Sequence, residues 1–428
     1  MSAAHASASP APPPLDLSRW RNLPNVLIAA GAAGALLGLL LRPVQFGYSW
    51  LVAFMFFLSL GLGALFLVMV HHLFDAGWSV PHRRFCEHLA NLVFPWLLVF
   101  FLPIALLAPR LYGWMQVADP HTDHALHAKL PLFTKPGFYL VAALCFAIWT
   151  WLARGLRAAS LAQDLDGAAR HTYRMRRLAA GGIFLFAITL TLAAILWMKG
   201  LMYEWFSTMY GVYYFAGSVW MTLGTVYFIT MVLARNGTLT AVLHEHQFYF
   251  LGSLMFAFTV FYAYIHFSQY FIIWNANLPE ETFWYVLREK GTWWYVGLAL
   301  IFGHFFLPFL AMLRIDLKLS FAWMTPICAW TWVMHYVDMA FNVHPTLHPD
   351  GYPFQWAWLD LACAALMGGL LAKAFLRDFA AHPPFPLKDP RLHEAMGIIL
   401  VHPSPISGGD LDEVDELNHA PETNGGGR

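Results

Sequence analysis

Apolar runs close to 20 residues long recur from Leu23 to Lys373, and each is long enough to cross the hydrocarbon core of a bilayer as a helix. Hydrophobic residues make up 59% of the chain and charged residues 12%, about half the charged share of a soluble domain. The sequence therefore reads as one all-α polytopic membrane domain, 23–377, between a disordered tail, 1–22, and a C-terminal tail, 378–428. Ten spans are expected, at 24–41, 48–71, 91–108, 136–153, 179–198, 212–234, 248–274, 292–313, 319–341 and 355–375. An even number puts both termini on one side. Lys and Arg concentrate there, notably between Arg154 and Arg177, so the termini are expected to be cytoplasmic.

A formal net charge of zero gives no reason to expect nucleic acid as a partner. Cys86, Cys145, Cys328 and Cys363 are scattered without any CxxC or CxxCH spacing, which argues against a disulfide framework, a zinc site, an iron–sulfur cluster or attached haem. The N-terminal Ala/Pro stretch lacks the basic and apolar regions of a signal peptide.

Several local features carry expectations. Gly31, Gly34 and Gly38 give the first span a small-residue face for close packing. Of the adjacent His71 and His72, at most one should face inward. Pro95 and Pro103 should bend the third span. His121, Asp123, His124 and His127 in the loop from Pro109 to Lys135 have no fixed ligand framework and read as solvated, so no metal site is expected. The basic and apolar alternation from Arg154 to Leu178 suits a cytoplasmic helix lying along the headgroups or a partner subunit. The aromatic stretch from Tyr203 to Ser218 suits an interfacial belt, and Thr222, Thr225 and Thr230 should bond back to their own helix.

The chemistry is carried by polar stripes on otherwise apolar helices. Tyr262, His266 and Gln269 fall at i, i+4 and i+7, and Thr331, His335, Asp338 and Asn342 at i, i+4, i+7 and i+11. Each set shares one helix face. His304 lies near mid-span, and Asp360 stands one or two turns into the last span. An ionisable residue inside a bilayer costs about 2.5 to 3.5 kcal/mol even on lenient scales, so it faces a cavity or a partner and is a functional candidate by default. His335, Asp338, His266, Gln269, Asp360 and His304 are the candidate proton path or quinol pocket, with Tyr262 and Thr331 as candidate lining of a quinone pocket. Histidine titrates near neutral pH, and beside a carboxylate it can accept a proton or relay one along water. The polar company of His266 and His335 argues against a haem between them. Read as packing alone, the same side chains would hold helices together by hydrogen bonds.

The segments Ser49 to Trp78, Trp205 to Ser218 and Phe258 to Thr282, with PLKDPRL from Pro386 to Leu392, resemble the F-type membrane subunit of bacterial alternative complex III. HFSQY at His266 to Tyr270 and LPEET at Leu278 to Thr282 match as segments, and the likeness runs from about Leu23 to Leu392. The family in turn resembles the NrfD-like, polysulphide-reductase-type membrane subunits. The resemblance implies two four-helix bundles, spans two to five and six to nine, flanked by spans one and ten. It implies a bacterial inner-membrane complex that oxidises quinol and passes electrons to a periplasmic acceptor. The implied partners are a sister ten-helix subunit, an iron–sulfur subunit, haem c subunits and membrane lipids. No redox cofactor is expected in this chain, whereas quinone or quinol is a candidate ligand. It supplies no residue-by-residue catalytic signature, so the roles above rest on the stripes. A structural scaffold subunit and a stand-alone secondary transporter are the competing classes.

Overall fold

The structure is a computed structural model that describes residues 22–130, 132–239 and 242–396. The expected disorder of the two tail ends falls outside them. The described residues are helical, and no strand occurs among them. Nine helices among them are long and apolar enough to cross a membrane. We label these α1 (Leu23–Leu41), α2 (Pro43–Phe74), α3 (Gly77–Leu111), α4 (Lys135–Asp166), α5 (Ala169–Met202), α6 (Tyr210–Arg235) and α7 (His246–Ala276). A short amphipathic helix, α8 (Pro279–Arg288), follows. Then come α9 (Trp293–Met312), α10 (Phe321–Val343) and α11 (Phe354–Ala380). The helix α10 occupies the expected ninth span but is not among the nine, and it carries the most polar stripe of the chain.

Burial orders the helices. The most apolar stretch of α2 is 89% buried and that of α6 is 83% buried, against 22% for α1. A helix that is apolar all round belongs in the centre, and α2 accordingly packs against α3, α5, α6, α10 and α11. Phenol Tyr214 of α6 donates to the Met55 carbonyl of α2 at 2.7 Å, which ties the two central helices. The first helix pairs with the last. A Cβ on Gly31 would stand 2.3 Å from the Leu366 backbone nitrogen, so the α1 and α11 backbones meet at a distance that only glycine permits. The opposite face of α1 leaves Leu36, Leu37 and Leu40 exposed.

Three helices change winding within their length. Short π-helical segments occur at Val93–Leu97 in α3, Ala194–Met198 in α5 and Leu300–Phe306 in α9. In α3 the break is at Phe94, where the Phe94–Pro95 peptide is cis, in keeping with the bend expected at that proline.

Four local expectations are corrected. The stretch from Arg154 to Leu178 is not a separate helix along the headgroups. Instead α4 runs on to Asp166, turns at Gly167 with φ of 68° and re-enters as α5 at Ala169. The 32 residues of α4 reach about 48 Å at 1.5 Å per residue, well beyond a hydrocarbon core of about 30 Å. Secondly, His71 and His72 are both buried, because α3 and the C-terminal segment cover the end of α2 on both sides. Thirdly, Trp205, Tyr210, Tyr213 and Tyr214 do not face headgroups; all are buried in protein. Finally, Thr225 and Thr230 bond back to Met221 and Val226 as expected, but Thr222 bonds across to the Leu60 carbonyl of α2 at 3.4 Å.

Residues 382–396 strap one end of the helices. Asp389 accepts from Arg83, the Leu387 N–H donates to Asp164 at 2.8 Å, and Gln247 donates to the Ala395 carbonyl at 2.7 Å. Beneath the strap, Arg83 and Arg84 both pair with Glu87 at 3.1 Å. A buried carboxylate between two guanidinium groups is tolerable because each charge has a partner.

Candidate functional site

The two stripes meet across α6. Helix α7 packs on one side of it and α10 on another, and α6 fills the gap with Tyr210 and Tyr213. Tyr213 donates to Asp338 Oδ1. The Asn342 amide donates to Tyr213 at 2.9 Å and to Asp338 Oδ1 at 3.2 Å. Tyr210 donates to Asn342 Oδ1 at 2.8 Å, and the Tyr262 and Tyr213 hydroxyls stand 3.2 Å apart. Thus Oδ1 of Asp338 is fully engaged, while Oδ2 is buried and has no protein partner.

The tautomer of His335 follows from its neighbour. Ser59 of α2 donates its single proton to the Phe56 carbonyl at 2.6 Å, so at 2.9 Å from His335 Nε2 it can only accept. His335 therefore carries hydrogen on Nε2, and in the neutral ring Nδ1 is a bare acceptor. Nδ1 has no partner in the protein. His304 projects from the π-helical segment of α9 and is clamped between the Trp220 and Tyr262 rings at 3.9 and 3.8 Å. Both of its nitrogens are buried without a partner. One potential ligand atom from each of His304, His335 and Asp338 lies within 4.8 Å of those of the other two.

Beside this cluster is a cavity of about 540 Å³ whose walls include Tyr262, His266, Tyr285, Arg288, Phe305 and Phe341. Its lining is mainly aromatic and aliphatic with a few convergent polar groups, the usual make-up of a small-molecule site. Tyr262 belongs to both the cavity wall and the hydrogen-bonded cluster. A void of about 10 Å³ among Tyr210, Tyr213, His266, Gln269, Tyr285 and Asn342 approaches the size of one water. Gln269 accepts from Ser207 at 2.7 Å and donates to Tyr285 at 3.1 Å.

Six of the sequence candidates, Tyr262, His266, Gln269, His304, His335 and Asp338, thus gather in one region. Two do not. Thr331 donates to its own helix at Cys328, 2.8 Å away, and is not on the cavity wall. Asp360 belongs to a separate buried group: His344 Nε2 lies 3.1 Å from both its oxygens, and Tyr352 donates to it at 2.6 Å. In the loop between α3 and α4, Asp123 caps a short helix through Leu126 N–H at 3.0 Å and accepts from Tyr203 at 2.7 Å.

No family model matches the chain, and no curated protein is significantly similar to it.

Sequence reasoning missed Tyr213, Tyr210 and Arg288. Arg288 is 3% exposed and donates at 3.0 Å to each of the Phe341, Asn342 and Trp284 carbonyls. Its guanidinium lies 3.4 Å over the Trp284 ring. Burial lowers it to about 9, so it stays charged at neutral pH. Two of its three carbonyl partners, Phe341 and Asn342, stand at the end of α10, where helix carbonyls lack partners, and the third, Trp284, lies one turn back in α8 itself. The available signal was its isolation: one Arg ends the aromatic run of α8. For the two tyrosines the spacing on α6 from Tyr210 to Tyr213 was legible, but not which side faced protein.

Proposed function

We propose that the chain is an integral-membrane subunit of a quinol-oxidising respiratory complex of the alternative complex III type. In this reading α10 crosses the membrane with the nine apolar helices, giving ten crossings in two four-helix bundles with α1 and α11 outside them. Both termini are cytoplasmic, and the membrane is the bacterial inner membrane. The complex passes electrons from quinol to a periplasmic cytochrome c or a similar acceptor. Iron–sulfur clusters and haem c reside in partner subunits beside a sister ten-helix subunit. This subunit contributes an acid–base path or a second quinone-like pocket and anchors its partners.

The observation that carries the reading is the double membership of Tyr262, which lines an apolar cavity and also contacts the phenol that donates to Asp338. A quinol hydroxyl seated at that wall would be two phenols, Tyr262 and Tyr213, removed from a buried carboxylate. Asp338 and His335 can then hold a proton, and Tyr213 and Tyr262 can relay it. The aromatic walls would exclude bulk water from the ring.

Purification through a tag on this subunit, followed by subunit identification and an assay of quinol-dependent cytochrome c reduction, tests the proposal. Co-purification of the sister, iron–sulfur and haem c subunits with activity is expected. Recovery of this chain alone and inactive from stable membranes would refute it.

A further inference from the structure

The cluster of His304, His335 and Asp338 has a second property that proton handling does not require. In His335 and Asp338 one polar atom is held by the protein and the other is bare, and in His304 the ring is clamped and both nitrogens are bare. His335 Nε2 is fixed by Ser59, Asp338 Oδ1 by Tyr213 and Asn342, and the His304 ring by Trp220 and Tyr262. The atoms left without partners are His335 Nδ1, Asp338 Oδ2 and both His304 nitrogens. All three residues are fully buried. Such outer contacts, which set the tautomer and aim the donor, are how proteins prepare metal ligands.

From this arrangement we propose that His304, His335 and Asp338 form a binding site for one divalent transition-metal ion of the zinc class, with the remaining coordination position open. Two imidazole nitrogens and one carboxylate oxygen are a borderline donor set suited to Zn²⁺ or Co²⁺ rather than to Ca²⁺ or Mg²⁺. Three protein ligands with one open position are the pattern of catalytic rather than structural zinc. Ligand distances near 2.0 to 2.2 Å require the three donor atoms to draw closer than the 4.8 Å limit that now bounds them. Gly217 makes room for the His335 ring in this orientation, since a Cβ there would stand 3.2 Å from Nδ1 and 2.9 Å from Cε1. The π-helical winding at Leu300–Phe306 turns His304 inward, and such bulges recur at functional sites. Among the described residues no other group of three such side chains meets this geometry. The exposed loop histidines do not, since Asp123 is engaged by Leu126 and Tyr203. The site rests on the cluster's geometry and not on the quinol reading, and an ion bound there would occupy the atoms of His335 and Asp338 that would otherwise hold a proton.

The test is made on the full-length chain in mild detergent, stripped with a chelator and titrated with Co²⁺. Bound metal is counted after desalting, and the visible spectrum is recorded. One equivalent with the absorption of a four-coordinate nitrogen–oxygen site, displaced by Zn²⁺, is expected. His335→Ala and Asp338→Asn should abolish that equivalent, Gly217→Ala should weaken it, and Ser59→Ala should weaken it by about 10-fold. The double substitution His121→Ala with His127→Ala should leave it intact. Absence of a bound equivalent in the wild-type chain would overturn the proposal and leave the cluster to water. So would an equivalent lost with the loop histidines, or one that persists in a folded Asp338→Asn protein.

Discussion

Asp338→Asn separates proton handling from packing. The asparagine amide has the shape of the carboxylate. With its oxygen at the Oδ1 position it still accepts from Tyr213 and from Asn342. Its NH2 then takes the Oδ2 position, which already has no protein partner. The structural cost is therefore one unsatisfied buried donor, about 1 to 3 kcal/mol, and the helices around it should remain assembled. What the amide cannot do is take up and release a proton. General acid–base catalysis is worth about 10²- to 10⁴-fold, or about 2.7 to 5.4 kcal/mol of barrier. The assay compares quinol-dependent cytochrome c reduction by wild-type and variant complexes, normalised to haem c content, with thermal inactivation measured in parallel. The expected result is a turnover reduced by about 100-fold or more in a complex of normal subunit composition. Unchanged turnover in an intact complex would refute the catalytic reasoning. Loss of the partner subunits with turnover per complex preserved would mean the stripe is interhelical glue.

Other outcomes follow from particular contacts. Arg288→Ala leaves the Phe341, Asn342 and Trp284 carbonyls without their donor and should lower stability by about 3 kcal/mol, read as a fall in melting temperature in detergent. Gly31→Leu drives a side chain into the α11 backbone at Leu366 and should lower melting temperature strongly, whereas Gly113→Ala, with open space around it, should not. Hydrogen bonds from Tyr203 and Leu126 hold the Asp123 carboxyl below its usual range, so their contribution is full above pH about 4 and fades as pH falls through the depressed value. Hydrogen exchange at Leu126 should accelerate there in the wild type and show no such pH step in Asp123→Asn.

The class of fold was legible because bilayer thickness sets a length and hydropathy sets a composition, and both are local properties of the chain. The stripes on α7 and α10 were legible for the same reason: a period of 3.6 residues is visible without knowing the neighbour. Their convergence was not. Asp360 and Asp338 sit at similar depths by counting rise, yet one pairs with His344 and the other with Tyr213, because depth does not determine the direction in which a helix faces. Tyr213 was hidden by composition: an aromatic-rich entry looks alike whether it meets headgroups or protein. Arg154 to Leu178 failed because basic residues on long helices that project beyond the bilayer give the same alternation as a helix lying on its surface. The covering of His71 and His72 depended on a segment more than 300 residues distant in the chain, as the Arg83–Asp389 contact illustrates.

The pairing of α1 with α11 also has a consequence for biogenesis. Between Gly31 of the α1 glycine face and the backbone it fits, around Ala362 and Leu366, the ribosome adds more than 300 residues. At about 10 residues per second the interval is on the order of half a minute. Throughout it the glycine face of α1 lacks the α11 backbone that packs on it. Synthesis of α11 is thus the event that closes this face, and a chain truncated before Phe354 would present an unfilled small-residue face by which membrane quality control can recognise it.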